Sequence, residues 1–165
     1  IWIFRGTPLL VQLFVVFFGL PKAGITIAPF PAAVLVFSLN EGAYCAETMR
    51  AALESVPVGQ LEAGYCVGMS WWQTMRRIIL PQAMRTAFPS LSNGLIAMVK
   101  DTSLAANITV AEMFMATKEI VAWSYEPLAL YMELGLIYLI FSTVLTWLQG
   151  VGERKLGAYE TAEVD

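Results

Sequence analysis

Apolar residues fall in long stretches separated by short polar ones, and the stretches have the length of membrane helices. Ile1–Leu20 is nearly all apolar, broken by Arg5-Gly6-Thr7-Pro8. A bilayer-spanning helix needs about 20 apolar residues, so the pattern predicts a helix that begins upstream of Thr7 and bends near Pro8. Pro21-Lys22-Ala23-Gly24 reads as a turn. A second helix is predicted from near Pro31 to about Ser55, with Asn40, Tyr44 and Glu47 on one face and Gly42, Ala43, Ala46, Ala51 and Ala52 permitting close helix contacts. Met84–Ile108 forms the third segment, Val110–Trp123 a mixed surface helix, and Pro127–Gly152 the most apolar helix of all. The pattern therefore predicts an all-α, polytopic membrane helical bundle with about four helices over 1–155, followed by a polar tail over 156–165.

Between the second and third segments the pattern changes. Pro57 and Gly59 are predicted to end the second helix. Gln60–Val67 reads as a short helix, and Gly68 fits its C-terminal stop, where a left-handed backbone costs glycine little. Ser70-Trp71-Trp72-Gln73 matches a capping box opening a further helix. On that helix Trp71, Trp72, Met75, Ile78 and Ile79 make an apolar face, and Gln73, Thr74, Arg76 and Arg77 a polar one. Pro81 is predicted to break it and turn the chain inward.

Composition agrees with a bilayer environment. The 165 residues are 58% hydrophobic and 14% charged, against about 45–50% and about 25% in soluble domains. The net charge of -3 argues against a nucleic-acid partner. Distribution of charge says more than its sum. Arg50, Arg76, Arg77 and Arg85 flank the polar loop and Arg154 and Lys155 follow the last helix, whereas the opposite loops hold only Lys22 and Lys118. The positive-inside rule then places the loop and the C-terminus in the cytoplasm. The chain starts at Ile1, inside an apolar run, which predicts a fragment whose N-terminal part, including a membrane helix, lies upstream.

Chemistry on the chain itself is narrowly bounded. Histidine is absent, which removes His-based metal sites, His proton relays and histidine-activated serine or threonine nucleophiles. Cys45 and Cys66 are far apart with no C-x-x-C, so no metal or redox site is expected and both read as free thiols in packed helices. No G-x-x-x-x-G-K-[ST] is present, so ATP phosphates cannot be cradled by this chain. No catalytic residue is assigned. The charges that need a reason are Lys100 and Asp101, which follow an uncharged run from Thr86 to Val99. Such residues within a membrane segment usually face a cavity, a partner charge or substrate. A zwitterionic amino acid would offer an ammonium to Asp101 and a carboxylate to Lys100 or Asn40, with Thr102 and Ser103 adding hydroxyl donors. The alternative is a solvated pair at the outer end of the helix, with Lys100 snorkelling outward. Glu47 is better explained as a structural partner of Arg50, three residues on.

The loop also has a recognisable spacing. Glu62-Ala63-Gly64, three residues, Gly68, nine residues, then Ile78-Ile79-Leu80-Pro81 resembles the EAA loop of bacterial ABC-importer permeases. Further matches are Arg5-Gly6-Thr7-Pro8-Leu9 with Gln12-Leu13, Ala43-Tyr44 with Ala46-Glu47, and Val99-Lys100-Asp101-Thr102-Ser103-Leu104. Together they cover about residues 5–155 and resemble polar amino-acid uptake permeases of the histidine, glutamine, arginine and cystine type. Ser38-Leu39-Asn40, Ala46-Glu47-Thr48 and Leu91-Ser92-Asn93 look most like cystine-type members. The resemblance implies an ABC importer type I permease fold with a cytoplasmic coupling helix, in which Glu62, Ala63, Gly64 and Gly68 couple to the ATPase. It implies a multi-pass protein of the bacterial inner (plasma) membrane that imports a polar L-amino acid and is not itself an enzyme. The implied partners are a cytoplasmic ABC ATPase dimer using ATP and Mg, a second permease subunit, identical or homologous, an extracytoplasmic amino-acid-binding protein, and membrane lipids. The departure is Gly64, where the family usually has alanine. A glycine there weakens a helix by about 1 kcal/mol and predicts a more pliable first loop helix. An ion-gradient-driven transporter or channel, with Asp101 as its ion site, is the alternative.

Overall fold

The computed structural model describes residues 1–157, and among these every regular element is helical. In chain order they are α1 (Trp2–Gly6), α2 (Leu9–Gly19), α3 (Pro29–Glu54), α4 (Val58–Cys66), α5 (Trp71–Thr74), α6 (Leu80–Asp101), α7 (Met113–Ser124) and α8 (Pro127–Gly157). Short 3-10 segments follow α2 (Leu20–Ala23) and α6 (Thr102–Ile108), and a π-helical turn, Met75–Ile79, joins α5 to α6. Of the polar tail expected over 156–165, residues 156 and 157 continue α8 and the rest lies outside the described residues.

The chain divides into two compact units. One comprises Ile1–Tyr44 and Gly94–Thr146, the other Cys45–Asn93 and the chain from Trp147, so α3, α6 and α8 each contribute residues to both.

In the first unit Leu13, Ala32, Ala33, Val36, Ala105 and Ile108 form a buried cluster. Its alanines bring α2, α3 and the Thr102–Ile108 segment close together. The bend predicted near Pro8 is real: Thr7 and Pro8 are extended and separate α1 from α2. Gln12 closes that corner. Its Nε2 donates to Phe4 O (2.8 Å), Thr7 O (3.0 Å) and Thr7 Oγ1 (2.9 Å), and so satisfies carbonyls that the end of α1 leaves open. Arg5 stacks on the Tyr44 ring at 5.6 Å from its centre, a cation–π contact. Farther along, Glu112 caps α7, its carboxylate accepting from Phe114 N–H (2.8 Å) and Met115 N–H (2.6 Å), and the Tyr138 hydroxyl donates to the same carboxylate at 3.4 Å.

In the second unit Ala52, Ala83 and Ala87 are the buried centre, with Met49, Leu53, Val56 and Leu91 against them. Gly152 of α8 lies so close to α6 that a Cβ built on it would stand 2.5 Å from Phe88 Cζ. Arg50 bonds both Glu47 and Glu54, its Nη1 lying 2.7 Å from Glu54 Oε2. The structural pairing expected for Glu47 is therefore present.

Pro81 does not break the chain. Helix runs without interruption from Trp71 to Asp101. A proline ring clashes with the carbonyl four residues back in a regular α-helix. Here the turn just before it is π-helical, with Leu80 N–H bonding Met75 O five residues back, and the wider turn makes room for the ring.

Among the described residues α8 alone is both long and apolar enough to cross a membrane, its most apolar stretch within Pro127–Leu156 having a mean hydropathy of 1.9. Only 6% of its most apolar window is buried, so Leu136, Ile140, Phe141 and Val144 point outward, as suits lipid or a partner rather than water. α2 with its 3-10 extension is a shorter apolar helix. α3 and α6 have spanning length, 26 and 22 residues, but polar and charged positions dilute their apolar character.

The packing makes a direct prediction. Leu13 is fully buried, so Leu13→Ala should lower stability by about 2–5 kcal/mol. Thermal unfolding of purified protein in detergent measures it, and an unchanged midpoint would contradict this core assignment.

Candidate functional site: the loop between α3 and α6

The loop starts where α3 stops. Pro57, extended at φ -57° and ψ 133°, is the N-cap of α4, and Gly59 lies inside the helix instead of ending α3. α4 then terminates in a Schellman motif. Gly68 takes the left-handed conformation at φ +78°, Met69 N–H donates to Gly64 O (3.0 Å) and Gly68 N–H donates to Tyr65 O (2.9 Å). Two residues later the capping box forms as predicted: Ser70 Oγ accepts from Gln73 N–H (3.3 Å) and Gln73 Oε1 accepts from Ser70 N–H (2.9 Å). The Schellman bonds and the capping box thus tie the end of α4 and the start of α5 on either side of the reversal.

Side-chain packing fixes the same joint. Gly64 is buried, and a Cβ built on it would stand 2.5 Å from Thr74 Cγ2 and 2.6 Å from Thr74 Oγ1. Thr74 is completely buried and its hydroxyl donates to Ser70 O at 3.1 Å. One expectation changes here: Thr74 does not lie on a water-facing side of the second loop helix. Gly64 leaves the space that the threonine occupies.

The opposite side of α4 is open. Val58, Glu62 and Tyr65 fall at i, i+4 and i+7 and share one face, with Val58 69% and Tyr65 47% exposed and Glu62 exposed between them. Ala63 is exposed, and Val67 at the end of the helix is 75% exposed. Cys66 is an exposed free thiol rather than a packed one, whereas Cys45 is half-buried. Behind the loop a cavity of about 650 Å³ is lined by Gln60, Arg77, Gln82, Arg85 and Glu153, among others. Trp71 and Trp72 stack at 5.9 Å and are more than half exposed. The arrangement is a short helix, tied at its end, presenting a small mixed apolar and acidic face.

The other candidates gather in the first unit. Lys100 and Asp101 are exposed at the end of α6. Thr102 and Ser103 turn their hydroxyl protons inward, to Val99 O and Lys100 O, both at 2.7 Å. Their oxygens keep lone pairs, and both hydroxyls also lie in hydrogen-bonding contact with the Tyr138 side chain. Asn40 is buried, and its Nδ2 donates to Phe4 O and Gln12 Oε1, both at 3.1 Å. Its amide hydrogens therefore hold the corner at Pro8. Helical spacing singled out Asn40, and the family resemblance Gln12, but neither could show that the two bind each other. Thr74 was missed, because its partner is defined by an absent side chain ten positions earlier. No group of three or more Cys, Asp or Glu able to hold a metal occurs among the described residues.

Comparison with known proteins extends the picture. A family model described as "Binding-protein-dependent transport system inner membrane component" matches residues 1–158. The L-cystine transport system permease protein TcyB of Bacillus subtilis (strain 168) is 51% identical over 156 residues, covering 94% of this chain and 67% of that one. The glutamine transport system permease protein GlnP of Escherichia coli (strain K12) is 40% identical, covering 93% and 71%. Among solved structures, the crystal structure of an amino acid ABC transporter with histidines superposes with a TM-score of 0.87 at 34% identity, covering 93% of this chain and 72% of that one. The inward-facing MetNI methionine ABC transporter, at 20% identity and a TM-score of 0.75, shares the fold, covering 93% and 71%.

The reversal itself is testable. Gly68→Leu would force a side chain into the left-handed region at a cost of about 1–2 kcal/mol. Limited proteolysis should cut this variant faster between α4 and α5 than the parent, and equal cutting rates would show that the positive φ is not required.

Proposed function

The chain belongs to the family of binding-protein-dependent transport system inner membrane components, and from that membership we infer that it is a permease subunit of an ATP-driven importer of polar L-amino acids. We propose cystine as its cargo, on the identity to the cystine permease. The observation that carries the mechanism is the open face of α4, Val58, Glu62 and Tyr65, held on a rigid two-helix joint. In this reading α4 docks into a groove on a cytoplasmic ABC ATPase. Two ATPases bind ATP with Mg, two permease subunits pair in the membrane, and an extracytoplasmic binding protein delivers the amino acid.

A coupling element needs two properties, a surface that a partner can grip and a stem that does not bend. Exposed Val58 and Tyr65 supply contact area, and Glu62 between them gives the face a charge that selects a basic partner groove. The stem is continuous helix from Trp71 through α6, so displacement of α4 is delivered to a helix that also ends at Lys100 and Asp101. In this reading the loop and the C-terminus face the cytoplasm, which the basic residues around the loop support.

The path for substrate is assigned to the end of α6. Asp101 would hold the ammonium of the amino acid and Lys100 its carboxylate, with Thr102 and Ser103 oxygens accepting further ammonium hydrogens. Asn40 supports this region through the corner at Pro8 and does not donate to substrate.

Glu62→Lys should leave membrane abundance unchanged and abolish uptake, because it reverses the one charge on the docking face. Normal uptake together with normal copurification of the ATPase would end the docking assignment. Asp101→Asn keeps the size and removes the charge. It should reduce uptake about tenfold or more, as loss of a charge-assisted hydrogen bond worth about 1.5–3 kcal/mol requires. Unchanged transport kinetics at matched abundance would place Asp101 outside the path.

A further inference from the structure

Gly64 and Thr74 form one packing unit, and its parts come from the two helices that meet at the reversal. The built Cβ at Gly64 meets three Thr74 atoms: Cγ2 at 2.5 Å, Oγ1 at 2.6 Å and Cβ at 3.1 Å. Rotating the threonine does not fully clear that space, because its own Cβ, which rotation does not move, stands at 3.1 Å, closer than ordinary contact, and must still give by a few tenths of an ångström. Retreat is blocked as well. Thr74 has no exposed surface, and its hydroxyl is tied to Ser70 O, one member of the capping box. Gly64 is held from the other direction, since its carbonyl accepts the Met69 N–H bond that closes the Schellman motif. The two residues thus share a contact whose neighbours on both sides are the bonds that set the reversal. Immediately after Thr74 the helix changes to a π turn.

We propose that Thr74, seated in the gap left by Gly64, is the positioning residue of the coupling loop and fixes the angle at which α4 is presented to its partner. The proposal rests on the coupling role inferred for α4. It has an unexpected consequence. Alanine at 64 is the better helix former, yet here it opens the joint, because the added methyl group must push α4 away from α5. Removing the γ atoms of Thr74 has the opposite fault: α4 loses the surface it leans on. Each change alone spoils the angle, and together they fill the same space from the other side.

The test uses the complete transporter, the permease with its own ATPase and binding protein, reconstituted in proteoliposomes. The reading is amino acid moved per ATP hydrolysed, with copurification of the ATPase as a separate measurement. Gly64→Ala should lower this ratio about tenfold, a size typical of residues in direct contact, while the ATPase still copurifies. Thr74→Ala should lower it several-fold. The double variant Gly64→Ala with Thr74→Ala should exceed both single variants. Thr74→Val, which keeps the shape and loses the bond to Ser70, should stay close to the parent and so separate packing from hydrogen bonding. A merely structural role would reduce membrane abundance in every variant and leave the ratio unmoved. Should Gly64→Ala not accumulate in the membrane, the double variant is compared with Thr74→Ala alone. The proposal is overturned if Gly64→Ala couples like the parent, or if the double variant is no better than Thr74→Ala. If the parent chain itself does not copurify with an ATPase, the docking assignment fails instead, which is a different result.

Discussion

The contact between Gly64 and Thr74 is the constraint on which the geometry of the loop depends. A short helix of nine residues cannot hold its own direction, because helices of that length are marginal in isolation. α4 is ordered by what it leans on and by how its end is tied. The glycine lets it approach α5 without a side chain between them, the Schellman bonds close its last turn, and the capping box starts the next helix two residues later. These ties join α4 to Trp71 and to the continuous helix beyond it.

The same economy of side chains recurs in the helices that carry the loop. Ala52, Ala83 and Ala87 pack together, Gly152 meets Phe88, and Ala32, Ala33 and Ala105 surround Leu13 and Ile108. Small residues allow close helix contacts, which matter in a bilayer where lipid is as apolar as a leucine side chain and gives little hydrophobic drive for association. The large apolar residues of α8 point outward instead. Polar side chains are used where the backbone is irregular. Gln12 and Asn40 close the corner at Pro8, and Glu112 closes the start of α7. An ion-gradient mechanism would give Asp101 a role but leaves a rigid, outward-facing α4 without one.

Local rules carried much of this far. The capping box at Ser70, the stop at Gly68, the bend at Pro8 and the pairing of Glu47 with Arg50 depend on residues within a few positions of each other, and the sequence displays them directly. Pro81 was misread because the rule for proline assumes a regular α-helix, and a π turn before it cannot be seen in residue types. Thr74 was misread for a different reason. Polar side chains at a helical period usually mark a solvated face, and only the neighbouring helix reveals that this one is enclosed. Asn40 shows the reverse case, a residue whose polar character was legible but whose partners, Phe4 and Gln12, lie far away in sequence.

The central claim is that α4 makes direct contact with an ATPase. Cys66 gives access to it, being an exposed thiol on α4. A short photo-crosslinker attached there, in a Cys45→Ala background and in the assembled transporter, reports what lies against the helix. The account predicts a crosslink to the ATPase whose yield changes with nucleotide. An intact complex in which Cys66 crosslinks only to lipid would contradict it.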